Sequence, residues 1–236
     1  MNSLPKRNFP DNCVQATGNY SDWWQVSKKL EKGALIRAIV PFFEAEPWRA
    51  VPIGRDDPTD HKGGLMRLQR FSVGSPNVPG NLPIAALPTT QSESLGIWRA
   101  KTRPALVLSV NDPCKFGSDY QQKPTLLIAP YYGVAPGKRM GFPRDFIKAV
   151  KTGNFSQYMW DILPIGQELA GALLRFDRML SIARKPQITF SHTGFAMKEE
   201  AVGFLNDWLS WFHQGQLDKS SDLYEIIGLL NKSSPD

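Results

Sequence analysis

The sequence predicts a mainly β domain, a β+α arrangement with helices at its C-terminal end, and three observations carry that expectation. Short apolar runs recur as GALIRAIVPFF, RPALVLSV, PTLLIAPYYG and GALLRFDRMLSIAR. Each has the length and composition of a strand, and turn-forming residues separate them. From Met197 onward the apolar residues instead return at helical spacing. Between Glu44 and Ile97 both patterns give way to Pro, Gly, Asp and Ser, too long a stretch to lie structureless inside one compact domain. It is read as an elaborated insertion.

In chain order, Ser21 is placed to cap a short helix through DWWQVSKKLEK, with Gly33 as its stop. GALIRAIVPFF is the first strand, and GLMRLQRFSVG suggests a strand or hairpin within the insertion. RPALVLSV and PTLLIAPYYG, parted by the turn-rich NDPCKFGSDYQQK, suit adjacent antiparallel strands. PRDFIKAVKTG and SQYMWDIL read as short helices or irregular packing. GALLRFDRMLSIAR reads as a strand kinked near Arg178, and PQITF as a short strand after it. Ala201, Leu205, Trp208 and Phe212 form one helical stripe ended by Gly215, and Leu223, Ile226, Ile227 and Leu230 form a second. At 236 residues the chain fits one decorated domain over 1–236, with the insertion at 44–97 and the helices at 197–230.

A net charge of +6 biases the surface toward polyanions such as nucleic acid. No apolar run approaches the roughly 20 residues that span a bilayer. The opening MNSLPKRNFPDN has no apolar h-region, so a cytoplasmic protein away from membranes is expected. Cys13 and Cys114 are far apart, and His61, His192 and His213 lack the i,i+4 spacing of helix-borne ligands. Neither a metal nor another cofactor is expected.

The residues best placed for chemistry are Arg175 and Asp177 in LLRFD. On an extended strand they share a face, while Leu174 and Phe176 point away. Phosphodiester cleavage needs a proton acceptor for the attacking hydroxyl and fixed positive charge on the phosphorus transition state, and a carboxylate beside a guanidinium supplies both. A solvated surface ion pair, contributing about 0 to 1 kcal/mol, is the simpler account of the same spacing.

The order GALIRAIV, RPALVLSV, TLLIAPYYG, LLRFDRMLSIAR and then amphipathic helices resembles the PemK/MazF family of toxins from toxin-antitoxin systems. Arg103, Pro104, Val107 and Ser109 match the family's RPxxVxS strand, and Leu174, Arg175, Asp177 and Ile182 match its LRCDQxRTID strand. The resemblance implies a small SH3-like barrel acting as a homodimer. It also implies a metal-independent endoribonuclease of single-stranded RNA that arrests growth and is inhibited by a cognate antitoxin protein. Carried onto this chain, Asp177 is the general base, Arg175 the acid or transition-state stabiliser, and Arg103 the phosphate-contacting cation. Ser109, Tyr131, Tyr132 and Arg178 are the candidate substrate contacts: the tyrosines either stack on bases or divide between core and surface, and Arg178 either extends a phosphate-binding strip or belongs to a solvated charged edge.

The pattern also departs from the family. Ala129, Pro130, Tyr131 and Tyr132 stand where members place Val-Pro followed by Thr or Ser, and PTTQS with Thr89 and Thr90 lies before RPALVLSV rather than after it. Arg178 replaces a Gln. These departures leave open a barrel that binds nucleic acid or a protein without cutting, and a gyrase-directed inhibitor on the same barrel.

Overall fold

The computed structural model describes residues 13–17, 23–60, 63–72, 93–116, 120–121, 123–134, 142–165 and 171–233. Their elements run α1 (Val14–Thr17), β1 (Trp24–Val26), β2 (Ala34–Pro41), β3 (Trp48–Gly54), β4 (Leu65–Arg70), β5 (Leu95–Ile97), β6 (Ala100–Asn111), β7 (Lys115–Phe116), β8 (Tyr120–Gln121) and β9 (Thr125–Gly133). There follow α2 (Arg144–Lys151), β10 (Tyr158–Ile162), β11 (Gly171–Arg175), a 3-10 turn (Phe176–Arg178), β12 (Leu180–Ala183), β13 (Phe190–Met197), α3 (Glu199–Gln214) and α4 (Asp222–Ser233). Contacts divide the chain into two compact units, Met1–Ile39 with Thr102–Asp236, and Val40–Lys101. The expected insertion at 44–97 falls inside the second.

The larger unit is built on one sheet, in the order β1-β13-β2-β6-β9-β11-β10 with β12 also on β9, curled into half a barrel. The protein is therefore mainly β with C-terminal helices. Apolar residues alternate to both faces of the central strands. Ala34, Ile36 and Ala38 of β2, Ala105 and Val107 of β6, and Leu126 and Ile128 of β9 join Phe190 in one cluster. Leu35, Leu106, Leu108, Ala129 and Tyr131 belong to the other, with Phe204, Leu205 and Trp208 of α3 and Leu223, Ile226 and Leu230 of α4. A sheet covered on both faces reads as continuous apolar runs, which is why GALIRAIV and ALVLSV look as they do. Each fully buried Leu or Ile contributes about 1.5–3 kcal/mol.

Gly33 ties this sheet together at φ +86°, where its N–H donates to Val107 O (2.8 Å) and its carbonyl accepts from Met197 N (2.9 Å). A side chain there would meet Val202. Gly33 thus opens β2 rather than ending a helix. The helix expected through DWWQVSKKLEK is instead strand β1, with Trp24 paired to Met197. Trp23 and Trp24 are consecutive yet both 1 % exposed. Pairing with β13 and the packing of Trp23 edge-on to Phe204 (5.5 Å) override the helix signals there. Ser21, the expected cap, lies outside the described residues.

SQYMWDIL is likewise not helical: it holds β10, paired antiparallel to β11. Met159, Trp160, Asp161 and Ile162 are all buried, so the strand lacks the alternation that would reveal it. PQITF does not form a strand of its own. Gln187, at φ 65°, lies in a turn, and β13 begins only at Phe190. The C-terminal helices form as their stripes predict. Gly215 closes α3 at φ +71° with its N–H on Trp211 O (2.9 Å), and Ser221 Oγ accepts from Tyr224 N (3.2 Å) to cap α4.

The smaller unit is a three-stranded sheet, β4-β3-β5. Trp48 pairs with Arg70 on one side and Ile97 on the other. Its ends are drawn together by the N–H of Phe42 on Arg99 O (2.8 Å) and by Arg99 over the Phe42 ring (5.8 Å).

Candidate nucleic-acid interface

A change of register places the charged residues. β11 pairs Leu174 with Tyr131, and β12 resumes by pairing Leu180 with Ile128. Six residues advance on one side while three advance on β9 (180 − 174 against 131 − 128). The surplus is thrown out of the ladder as the 3-10 turn Phe176–Arg178, an enlarged form of the bulge that re-aims side chains beside functional sites. Phe176 is buried and meets Phe212 of α3 at 6.0 Å. It anchors the turn, and Arg175 and Asp177 emerge on either side of it. The two share a face as expected, although the cause is this turn rather than an unbroken strand.

Arg175 grips Asp177 with two hydrogen bonds, Nε to Oδ1 at 2.9 Å and Nη2 to Oδ2. The side chains are 16 % and 27 % exposed, so this is a partly desolvated pair at a surface. The hydrogen bond from Arg175 to Asp177 raises the guanidinium pKa against the opposing effect of burial, which keeps Arg175 cationic and unsuited to giving up a proton. Arg178 Nε lies 3.9 Å from Asp177 Oδ2.

Arg103 approaches from β6. Extending the Ala105–Pro130 pair of β6 and β9 by two residues sets Arg103 opposite Tyr132, and its guanidinium lies 4.0 Å from the centre of that ring. Arg175 lies 5.2 Å from the same ring and 5.3 Å from the ring of Tyr158, its direct partner across β10 and β11. The outcome is a row across four neighbouring strands, Arg103, Tyr132, Arg175 and Tyr158, in which cation and ring alternate. Each such contact is worth about 0.5–1 kcal/mol when exposed and more when desolvated. The Tyr132 ring is shared by two guanidiniums. Two guanidiniums, of Arg175 and Arg178, thus lie beside one carboxylate, and Arg103 joins them through the Tyr132 ring it shares with Arg175, a composition suited to an anion.

Two predicted substrate residues stand elsewhere. Tyr131, at 1 % exposure, lies in the core with its hydroxyl donating to Asp161 Oδ2 (3.0 Å), and is closed to any base. Ser109 is six residues along β6 from Arg103, about 20 Å away in an extended strand. It donates to Asn111 Oδ1 at 3.2 Å. Tyr132 belongs to the site, but its ring carries two guanidiniums where a base was expected. Arg184 Nη1 donates to Asp112 Oδ1 at 2.7 Å. Thr89 and Thr90 lie outside the described residues.

Tyr158 is not singled out by the sequence, where SQYMWDIL reads as a short helix or irregular packing. The β-favouring Tyr, Trp and Ile of YMWDI were the signal that could have found it. Elsewhere, an open depression of about 270 Å³ lined by Arg37, Thr102, Gln187, Ile188 and Thr189 holds none of the predicted site residues. Among the described residues no cluster of three or more His, Cys, Asp or Glu could hold a metal ion, and no helix is long and apolar enough to cross a membrane. Comparison of the chain with models of known families, with curated proteins and with solved structures found no match.

Proposed function

We propose that this face binds single-stranded RNA and cuts it without a metal, as a toxin of the PemK/MazF type would. The observation that carries the reading is the Arg175–Asp177 pair with Arg178 beside it and Arg103 across the shared Tyr132 ring. A phosphate arriving at Arg103 and Arg175 competes with Asp177 for the Arg175 guanidinium and releases the carboxylate. Asp177 then takes the proton of the RNA 2′-hydroxyl, and the 2′-oxygen bonds to phosphorus. The bond to the 5′-oxygen breaks, that oxygen takes a proton from solvent water as it leaves, and Asp177 returns its proton to solvent. The products are a 2′,3′-cyclic phosphate and a 5′-hydroxyl. Arg175 and Arg103 stabilise the charge on the phosphoryl oxygens. The same reading has the protein acting in the cytoplasm as a homodimer held in check by a cognate antitoxin.

The second reading is a barrel that binds RNA and leaves it intact. It is favoured by the resting geometry, in which both Asp177 oxygens already accept from Arg175, and by the absence of the family's hydroxyl residue after the third strand.

The deciding experiment incubates the purified protein and its Asp177→Asn variant with a long single-stranded RNA in EDTA, followed by mapping of the ends. Discrete cuts with cyclic-phosphate ends, reduced about 100- to 10,000-fold in the variant, are expected. Intact RNA with both proteins removes the nuclease, and RNA bound but uncut selects the second reading.

A further inference from the structure

We infer that Tyr158 is a nucleobase platform, against which the base next to the phosphate held at Arg175 stacks; the inference rests on the reading of this face as an RNA site. Tyr158 occupies the end of the cation and ring row, on β10, half-buried and 5.3 Å from Arg175. Among the described residues it is also the ring of that row braced by other rings. Phe146 of α2 meets it at 5.4 Å and 75°, and Phe155 meets it at 6.0 Å and 73°. Phe146 and Phe155 lie 5.5 Å apart, and Phe142 stacks on Phe146 at 5.3 Å. All of these rings are partly buried against the main core.

Two physical consequences follow. A ring held by two neighbours has little freedom left to lose, so stacking on it carries a smaller entropic cost than stacking on a loop tyrosine. Its position beside a guanidinium matches the spacing of a nucleotide, whose base and phosphate are separate groups on one flexible unit. Sites for single strands combine these two features, cations for the backbone and aromatic faces for the bases. Tyr132 serves differently, because two guanidiniums, of Arg103 and Arg175, crowd its ring where Arg175 alone lies over that of Tyr158. A duplex, with its bases stacked inward, offers nothing to Tyr158, so the occupant is a single strand.

The test measures equilibrium binding of a short fluorescein-labelled RNA, and of the same RNA carrying single abasic positions, to the wild-type protein and to Tyr158→Leu and Tyr158→Phe. Tyr158→Leu is expected to bind about 5- to 150-fold more weakly with an unchanged dependence on salt. Tyr158→Phe, which keeps the ring and its bracing, retains the affinity and shows that the platform rather than the hydroxyl is at work. One abasic position should weaken wild-type binding to the level of Tyr158→Leu and have no added effect in that variant. Unchanged affinity of Tyr158→Leu overturns the inference, as does a loss that is the same for every abasic ligand. Loss in Tyr158→Leu with a collapsed near-ultraviolet circular dichroism spectrum transfers the decision to the abasic series on the wild type, where equal binding of all ligands also overturns it. RNA binding by none of the proteins removes the RNA reading itself together with the platform, whereas binding without cleavage removes the nuclease alone and leaves the platform standing.

Discussion

Tyr131 and Tyr132 are neighbours on β9, and each lies close to an aspartate system, yet the two surroundings have nothing else in common. Tyr131 points into the core and donates to Asp161, which is 0 % exposed and also accepts from the backbone N–H of Ile162 at 2.7 Å. Tyr132 points to the other face of the strand, where its ring lies beside Arg103 and Arg175, and Arg175 in turn holds Asp177 at the surface. A carboxylate sealed among its donors is fixed in one role, because exposing or rearranging it breaks bonds that water cannot replace. A carboxylate paired at a surface can exchange its partner for a ligand. The strand's alternation alone separates the structural pair from the candidate functional one.

The comparison is broken most directly by truncation. Tyr131→Ala should cost about 3–5 kcal/mol through lost packing, and Tyr131→Phe, which only removes a donor to Asp161, about 1.5–3 kcal/mol. Both are read from urea unfolding midpoints. Tyr132→Leu should cost about 1–2 kcal/mol, since it forfeits two cation–ring contacts, while weakening RNA binding because Arg103 and Arg175 lose the ring they share. Equal destabilisation by Tyr131→Ala and Tyr132→Leu would show that both tyrosines are structural.

The fold was legible where one physical rule acted alone. The runs that became β2, β6 and β9 are apolar on both faces and of strand length, and the stripes of α3 and α4 have no competing reading. β1 and β10 were not legible as strands. In each, consecutive large residues are buried by tertiary contacts, Trp23 and Trp24 in one case and Met159 and Trp160 in the other, and such a run carries no period. At the site, Arg175, Asp177, Arg178 and Arg103 were visible as charges on strand-like motifs. The three surplus residues that push the first three of them outward depend on pairing with β9, and pairing is a property of the whole sheet. Tyr131 and Tyr132 could not be told apart for the same reason: two consecutive tyrosines in an apolar strand must face opposite ways, but only the neighbours decide which one meets solvent.

A third carboxylate sharpens the contrast at the small end of the scale. Asp207 of α3 has neither Asp161's phenol nor Asp177's guanidinium. Its pKa is raised by partial burial first, then by the charges of Asp222 and Asp218 across the connection to α4. A raised carboxylate pKa means that the folded state disfavours the ionised form, so at neutral pH Asp207 subtracts stability. The loss is relieved as the pH falls through its raised pKa toward the ordinary carboxylate range. Asp207→Asn should therefore stabilise the protein at pH 7, by about 0.2–0.5 kcal/mol because solvent screens a group this exposed. The gap between variant and wild type should close on acidification and shrink in high salt. Asp222 should be left in place, since its charge favours the first turn of α4. A variant less stable than the wild type at pH 7, with the difference fading on acidification, would mean instead that the fold holds Asp207 as a bound carboxylate.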